Sequence, residues 1–336
     1  MASTRLFKSS IRPRTYGAFV LGSGLFFCAY HVYSSHSPPK ARHLNPSTFT
    51  PYTLVSRDPV SSSNAVFHLR PQNSDPLNAE AMRLASKTGI WSVQFKQPQL
   101  QIARNYTPLP NVDGLVADDE LRLLIRREEG GEVSNYLHDL PERSTISVRG
   151  PFQECDIPSG VTDVLFLAGG TGIAPALQVA RLIGERANLK MHILWANRTR
   201  EECEGGISDS YSSSDSGWSG WLGAVRNAPH DKQLGVGRER GQIVQLLDSL
   251  KSQGKQGQLL VDYFVDEEKK FITPNDVSQA LVRRGSGRAL ILISGPDGFV
   301  DYWAGRKEWA GGREVQGALG GKLKEMNLKG WKVIKI

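Results

Sequence analysis

Between Asp163 and Ile183 the chain reads DVLFLAGGTGIAPALQVARLI, and few folds accommodate that pattern. The apolar run Val164 to Ala168 is short enough for a buried parallel strand. Gly169-Gly170-Thr171-Gly172 then turns sharply, and Ala174 to Gly184 has helical spacing through Leu177, Ala180 and Leu182. Strand, glycine turn and helix in that order aim backbone N–H groups and the positive end of a helix at a pyrophosphate. The glycines do not follow G-x-G-x-x-G, so the segment predicts a phosphate-binding βα turn without that fingerprint.

Upstream, short apolar or alternating runs recur between turn residues: YTLVS from Tyr52, AVFHLR from Ala65, WSVQFK from Trp91, LRLLIRR from Leu121 and STISVRG from Ser144. Such a series predicts a small antiparallel barrel, interrupted by a polar helical insert at about Leu77 to Ser86. Two segments here carry chemistry. Arg104-Asn105-Tyr106-Thr107-Pro108 places a guanidinium, an aromatic ring and a hydroxyl together. In an extended chain Arg104 and Tyr106 share a face and Thr107 points opposite. A dinucleotide flavin needs a cation for its pyrophosphate, which Arg binds bidentately, a flat surface for its ring and a donor near its reactive nitrogen. The second segment, Gly130-Gly131-Glu132-Val133-Ser134-Asn135-Tyr136-Leu137, opens a helix whose free N–H groups suit phosphate, with Ser134 adding a hydroxyl.

RNYTP, GGEVSNYL and Val148-Arg149-Gly150-Pro151, in this order, resemble the consecutive FAD motifs of the NADH–cytochrome b5 reductase family. GGTGIAP has the form typical of the ferredoxin reductase superfamily. The resemblance covers roughly residues 50–336 and implies two domains: an antiparallel β-barrel binding FAD over residues 49–155, and an α/β parallel-sheet domain binding NAD(P) over residues 160–336. It implies pyrophosphate contact for Arg104, flavin packing for Tyr106 with Pro108 in the same motif, a hydroxyl near the flavin for Thr107, and phosphate binding by Gly131, Val133 and Ser134. The nicotinamide dinucleotide is implied to meet Gly170, Thr171, Gly172 and Pro175 at its phosphates, and Ser294, Gly295 and Pro296 near its ring. Thr107 and Ser294 are therefore the candidate catalytic residues. Two positions depart from the family: Glu132 stands where a Lys is common, and Ser294 replaces a Cys that commonly helps hydride transfer. A second strand, from Lys190, ends at Asn197, Arg198 and Thr199, where the resemblance puts the adenosine ribose. Arg198 suits a 2′-phosphate and Glu201 or Glu202 suits ribose hydroxyls, so NADH and NADPH both stay open, with NADH the family's choice.

Charge separates the chain into two parts. Residues 1–57 hold seven basic side chains and no acid; the other 34 of the 41 Lys and Arg are balanced by 34 Asp and Glu. A nucleic-acid-binding domain carries its basic excess within the fold, so nucleic acid is not expected as a partner. Cys28, Cys155 and Cys203 lie far apart with no CxxC, which leaves a disulfide framework, covalent haem or a metal site without support. Residues 1–15, rich in Arg, Lys and Ser, read as a mitochondrial presequence. Residues 16–33 carry no charge and would span roughly 27 Å as a helix, enough to cross a bilayer. Residues 34–48 read as a linker, and residues 203–240, rich in Ser, Gly and Asp, as a flexible insertion.

Basic residues before the span favour soluble domains facing the intermembrane space, anchored by one transmembrane helix in the mitochondrial inner membrane. The resemblance implies electron transfer from reduced nicotinamide through FAD to haem iron, in support of cytochrome c import and haem attachment. Haem or cytochrome c and its haem lyase are then the partners. Two other readings stay open: a general cytochrome b5-type reductase, and a non-enzymatic FAD-binding assembly factor for the lyase.

Overall fold

The computed structural model describes residues 43–112, 114, 117–212, 240–283 and 288–336. The expected presequence, the 16–33 span and residues 213–239 of the insertion lie outside the described residues. Among the described residues no helix is long and apolar enough to cross a membrane.

Strands β1 (Thr50–Pro59), β2 (Asn64–Pro71), β3 (Gly89–Gln97), β4 (Ile102–Tyr106), β5 (Leu121–Arg126) and β6 (Thr145–Asp156) form one antiparallel sheet in the order β4-β3-β6-β1-β2-β5. Its two edges curl toward each other. Just past β4, Pro108 bridges to Leu123 of β5, and the Leu109 N–H donates to the Arg122 carbonyl at 2.7 Å. Alternate residues Tyr52 and Leu54, Phe67 and Leu69, and Val93 and Phe95 are buried in the interior, as a period of two requires. The expected helical insert is α1 (Pro76–Thr88), capped by the Asp75 carboxylate on the Leu77 N–H at 2.9 Å. A further helix, α2 (Glu132–Asp139), follows β5.

The linker expected over residues 34–48 ends earlier than its composition implies. Leu44 is buried, its N–H donates to Asn78 Oδ1 at 2.7 Å, and the Asn45 carbonyl accepts the Gly150 N–H at 3.1 Å. An apolar side chain inside and backbone groups satisfied by the barrel make this segment part of the domain.

The second half builds a parallel sheet in the order β13-β10-β7-β8-β9 from β7 (Val161–Gly169), β8 (Lys190–Asn197), β9 (Leu259–Val265), β10 (Arg288–Ser294) and β13 (Trp331–Lys335). The small strands β11 (Glu308–Ala310) and β12 (Arg313–Val315) pair separately as a hairpin. Helices α3 (Ile173–Arg181), α4 (Asp209–Ser212), α5 (Gln242–Gln253), α6 (Pro274–Arg283), α7 (Asp297–Ala304) and α8 (Gly321–Lys324) connect the strands. Val164 to Ala168 are fully buried, as a parallel strand covered on both faces must be. The chain runs from β7 outward to β8 and β9, then returns to place β10 and β13 on the other side. The strand order reverses between β7 and β10, and in open α/β sheets a ligand crevice forms at the carboxyl ends of strands at such a point.

Gln178, in the middle of α3 and 4% exposed, joins the two halves. Its amide donates to the Pro108 carbonyl at 2.8 Å and accepts the Trp91 N–H at 2.9 Å. Val66, Ile90 and Leu124 of the barrel share one apolar cluster with β7 and α3. The described start of the insertion, residues 203–212, departs from the expected flexible loop by lying along the edge strand β9. Ser208 Oγ accepts the Tyr263 N–H at 2.9 Å, Asp209 Oδ2 accepts the Val261 N–H at 2.8 Å, and the Ser210 N–H donates to Asp262 Oδ1 at 2.9 Å. The short polar side chains that suggested a loop serve here as acceptors for an unpaired sheet edge.

Candidate active site

Where the barrel closes, a cleft of about 290 Å³ is lined by Arg104, Asn105 and Tyr106 of β4, by Arg126 at the end of β5, and by Gly131 to Ser134 at the start of α2. Thr171, from the glycine turn after β7, lines the same cleft. Ligand pockets run to roughly 300–1,000 Å³, so a dinucleotide flavin would occupy this cleft only in part.

Arg104 and Tyr106, expected on one face of the strand, are both in the cleft. Arg104 is exposed, donates only to the Ala103 carbonyl at 3.1 Å, and has no carboxylate partner among the described residues. An unneutralised guanidinium beside a cleft suits a diphosphate. The Tyr106 ring packs on Phe95 with centroids 5.3 Å apart. Burial pushes its hydroxyl up to about 12, with Arg104 pulling down and Glu128 up, so Tyr106 stays a neutral donor at physiological pH. Thr107 is half-buried and does not line the cleft, and Pro108 is buried, occupied in the β5 bridge and in the bond from Gln178.

The glycine turn before α2 has a more specific construction than its composition suggests. Gly130 has φ +72°, a conformation that favours glycine. Ser134, expected to offer its hydroxyl to phosphate, spends its proton on the Gly131 carbonyl at 3.2 Å and accepts the Glu128 N–H at 3.2 Å. It braces the turn and keeps only a second lone pair. The first bond of the helix runs from the Asn135 N–H to the Gly131 carbonyl, so the amides of Glu132, Val133 and Ser134 have no acceptor within the helix. Those amides and Arg104 form a donor set that fits a phosphate group.

The turn after β7 packs directly on the end of β10. A Cβ on Gly172 would lie 2.3 Å from the Ser294 carbonyl oxygen and 2.8 Å from the Gly295 nitrogen, and one on Gly169 would lie 2.9 Å from the Phe299 ring. Only glycine permits this approach. Gly170 has φ +54°, with only the Arg126 guanidinium within 4 Å of a Cβ there, and its carbonyl accepts the Trp195 indole N–H at 2.9 Å. The turn is thus held from below and open above. Ser294 is 8% exposed at the carboxyl end of β10, Gly295 is half-buried and Pro296 exposed beside it, and Pro175 is buried in the first turn of α3. The turn after β7 and the Ser294-Gly295 turn, far apart in sequence, meet at the reversal of strand order.

Two residues absent from the expected set matter. Arg126 stands between the two halves of the cleft, 3.5 Å from Glu202 and 3.7 Å from Glu128. An arginine pair at a strand end just before a glycine turn was its signal in the sequence. Gln178 carried no local signal. Glu202, one of the two acids expected to take ribose hydroxyls, is buried: it accepts from Asn64 Nδ2 at 3.1 Å and from the Arg198 N–H at 3.1 Å, which leaves the exposed Glu201 as the other. A carboxylate so engaged, and out of solvent, is spent on joining the domains.

Comparison with known proteins divides the chain at the same place. Residues 51–156 match the oxidoreductase FAD-binding domain and residues 166–204 the oxidoreductase NAD-binding domain. The chain is 33% identical over 143 residues to the cytochrome c mitochondrial import factor of Saccharomyces cerevisiae, covering 39% of this chain and 38% of that one. An FAD-binding protein of Schizosaccharomyces pombe is 31% identical over 166 residues, covering 49% of this chain and 58% of that one. NADH-cytochrome b5 reductase 2 of Candida albicans is 25% identical over 245 residues, covering 70% of this chain and 66% of that one. The matched region therefore spans 38% and 58% of the first two relatives. Among solved structures, the cytochrome b5 reductase domain of Ulva prolifera nitrate reductase superposes with a TM-score of 0.50 at 19% identity, covering 77% of this chain and 91% of that one. Flavohemoglobin from Malassezia yamatoensis gives 0.51 at 15% identity, covering 84% of this chain and 60% of that one. Both share the two-domain fold.

Proposed function

We propose, from the premise that this chain is a ferredoxin reductase-type protein with FAD-binding and NAD-binding oxidoreductase domains, homologous to the NADH-cytochrome b5 reductases, that it passes electrons from a reduced nicotinamide through FAD to haem iron or a haem protein. The observation that carries this reading is the shared cleft: Thr171 of the nucleotide turn lines the same space as Arg104, Tyr106 and Ser134 of the flavin motifs. Bound FAD would supply the step from hydride to single electrons. The chain's own part is positional. Arg104 and the first-turn amides of α2 would hold the flavin diphosphate, and Tyr106 would pack on the flavin and donate a hydrogen bond. Gly170, Thr171 and Gly172 would receive the phosphates of the nicotinamide dinucleotide, with Pro175 fixing the start of α3 behind them. Thr107 would offer a hydroxyl near the flavin. Ser294, Gly295 and Pro296 would close the nicotinamide side, where Ser294 supplies a hydroxyl in place of a thiol.

In the same reading the chain is anchored in the mitochondrial inner membrane through residues 16–33 and keeps haem ferrous for the cytochrome c haem lyase. Its support is the acid-free N-terminus and the likeness to a yeast factor for mitochondrial cytochrome c import. The test is anaerobic reduction of ferric haem or cytochrome c by the full chain, FAD and a nicotinamide nucleotide. Reduction that depends on FAD is expected. A flavin that bleaches without passing electrons to haem would favour a cytochrome b5-type reductase, a reading supported by the likeness to the Candida albicans protein over 70% of the chain. For the topology, protease added to mitoplasts is expected to degrade the soluble domains; protection until detergent is added would place them in the matrix.

A further inference from the structure

Strands β3 and β4 pair in antiparallel register from Gln97 and Ile102 to Val93 and Tyr106. Two residues further along each strand, that register would set Trp91 opposite Pro108. The rung is not made: the chain leaves β3 at Thr107, and Pro108 bridges instead to Leu123 of β5. The side-chain amide of Gln178 sits in the gap. Its Oε1 accepts the Trp91 N–H at 2.9 Å, and its Nε2 donates to the Pro108 carbonyl at 2.8 Å. Proline has no N–H of its own, so these two bonds satisfy both backbone groups that the open ladder leaves. Gln178 is 4% exposed, and a carboxamide offers a donor and an acceptor side by side without charge. A side chain of the α/β domain thus stands in for a peptide group of the barrel.

We propose that Gln178 is a positioning residue for electron transfer: its amide fixes the distance between the flavin strand and the glycine turn that receives the nicotinamide dinucleotide. Both ends of the contact carry site residues. On the barrel side, the gripped carbonyl belongs to the residue after Thr107 and lies two residues past Tyr106. On the other side, Gln178 stands six residues beyond Gly172, about 9 Å along a helix at about 1.5 Å per residue. That helix, α3, is buried from Ile173 to Ala180, so the turn and the amide move as one body. Other contacts hold the two halves together. Arg181 donates to the Ser86 carbonyl at 2.5 Å and Arg186 to the Ile157 carbonyl at 2.7 Å, and Val66, Ile90 and Leu124 share an apolar cluster with α3. Replacing Gln178 therefore shifts the turn against the strand without separating the domains. A shift of about 1 Å between reacting groups can cost about a hundredfold in rate.

The inference rests on the proposed function for which turn meets the nicotinamide, and the test keeps the two apart. Single-turnover flavin reduction in the FAD-loaded full chain is followed at saturating NADH or NADPH, as a rate per bound flavin. Gln178→Leu removes both bonds. It is expected to slow reduction by about ten- to a hundredfold, with FAD content and nucleotide affinity those of the parent protein. Gln178→Glu keeps the acceptor for Trp91 but regains the donor for Pro108 only when its carboxyl is protonated. Burial and the facing carbonyl raise that pKa above the usual value of about 4.3. Reduction by this variant should therefore be slow in alkaline solution and rise toward the parental rate as pH falls through that pKa. A rate per flavin unchanged in Gln178→Leu, whatever happens to its Tm, would make Gln178 a stabiliser of the fold and overturn the inference. So would a loss of FAD or nucleotide binding that accounts for the slower rate, or a Gln178→Glu rate that does not recover on acidification. If the parent flavin is not reduced at all, the electron-transfer reading fails, and hydrogen exchange decides the role of Gln178 alone. Faster exchange in Gln178→Glu at Trp91 and at the Gly170–Gly172 turn together sustains it; a change confined to Trp91 overturns it.

Discussion

Replacing Gly172 with Val is expected to lower flavin reduction by NADH or NADPH by about a hundredfold or more, while FAD stays bound. The reason is backbone contact, not side-chain crowding. Even a Cβ at this position would sit 2.3 Å from the Ser294 carbonyl oxygen and 2.5 Å from its carbon, and neither atom belongs to a side chain that can swing away. The turn must move off the end of β10. Overpacking of this kind costs about 1–3 kcal/mol, which a domain with a core this continuous survives. The reacting groups do not tolerate it as well, since a displacement of about 1 Å can cost about a hundredfold in rate. Flavin content and circular dichroism establish that the variant is folded and loaded, and stopped-flow absorbance gives the rate. A rate equal to that of the parent protein would mean that the α/β domain is not where electrons enter, and the reading as an FAD-binding assembly factor would become the better one.

Arg104→Ala has the second large effect, on FAD rather than on the nicotinamide. Arg104 has no carboxylate partner among the described residues, and its only hydrogen bond there is to the neighbouring carbonyl. Removing it therefore leaves no buried charge unpaired and costs the fold little. What would be lost, if Arg104 holds the flavin diphosphate as proposed, is a charge-assisted contact of about 1.5–3 kcal/mol, or about ten- to a hundredfold in FAD affinity. The variant should purify with less flavin and recover it when FAD is supplied in excess. Unchanged flavin content would remove Arg104 from the site, and loss of folding even with excess FAD would assign it a structural role instead.

The parts of this architecture that depend on local pattern were legible in the sequence. The strand, glycine turn and helix at Val164 to Leu182 follow from hydrophobic period and glycine placement. So does the helical insert that becomes α1. The grouping of Arg104 with Tyr106 follows from the two-residue repeat of a strand. What the sequence did not reveal are bonds between distant segments. Nothing around Gln178 marks it as the amide that joins Trp91 to Pro108, and nothing around Glu202 predicts a partner 138 residues away at Asn64. A buried polar residue and an exposed one look alike until the chain has brought the partner to it. The Ser-rich start of the insertion misled for the same reason: Ser208 and Asp209 have loop composition, but their oxygens answer the N–H groups of an edge strand 52 to 55 residues further on. Ser134 misled at shorter range, because a hydroxyl in a glycine turn serves a ligand or the turn itself, and only the geometry decides.

The central claim is that the glycine turns after β5 and β7 bring a nicotinamide to a flavin within one cleft. It is tested most directly by mixing the FAD-loaded full chain anaerobically with NADPH or NADH and following the flavin absorbance near 450 nm in a stopped-flow instrument. The account predicts that the absorbance bleaches in a phase whose rate saturates with nucleotide concentration. A flavin that stays oxidised while the nucleotide demonstrably binds would contradict it.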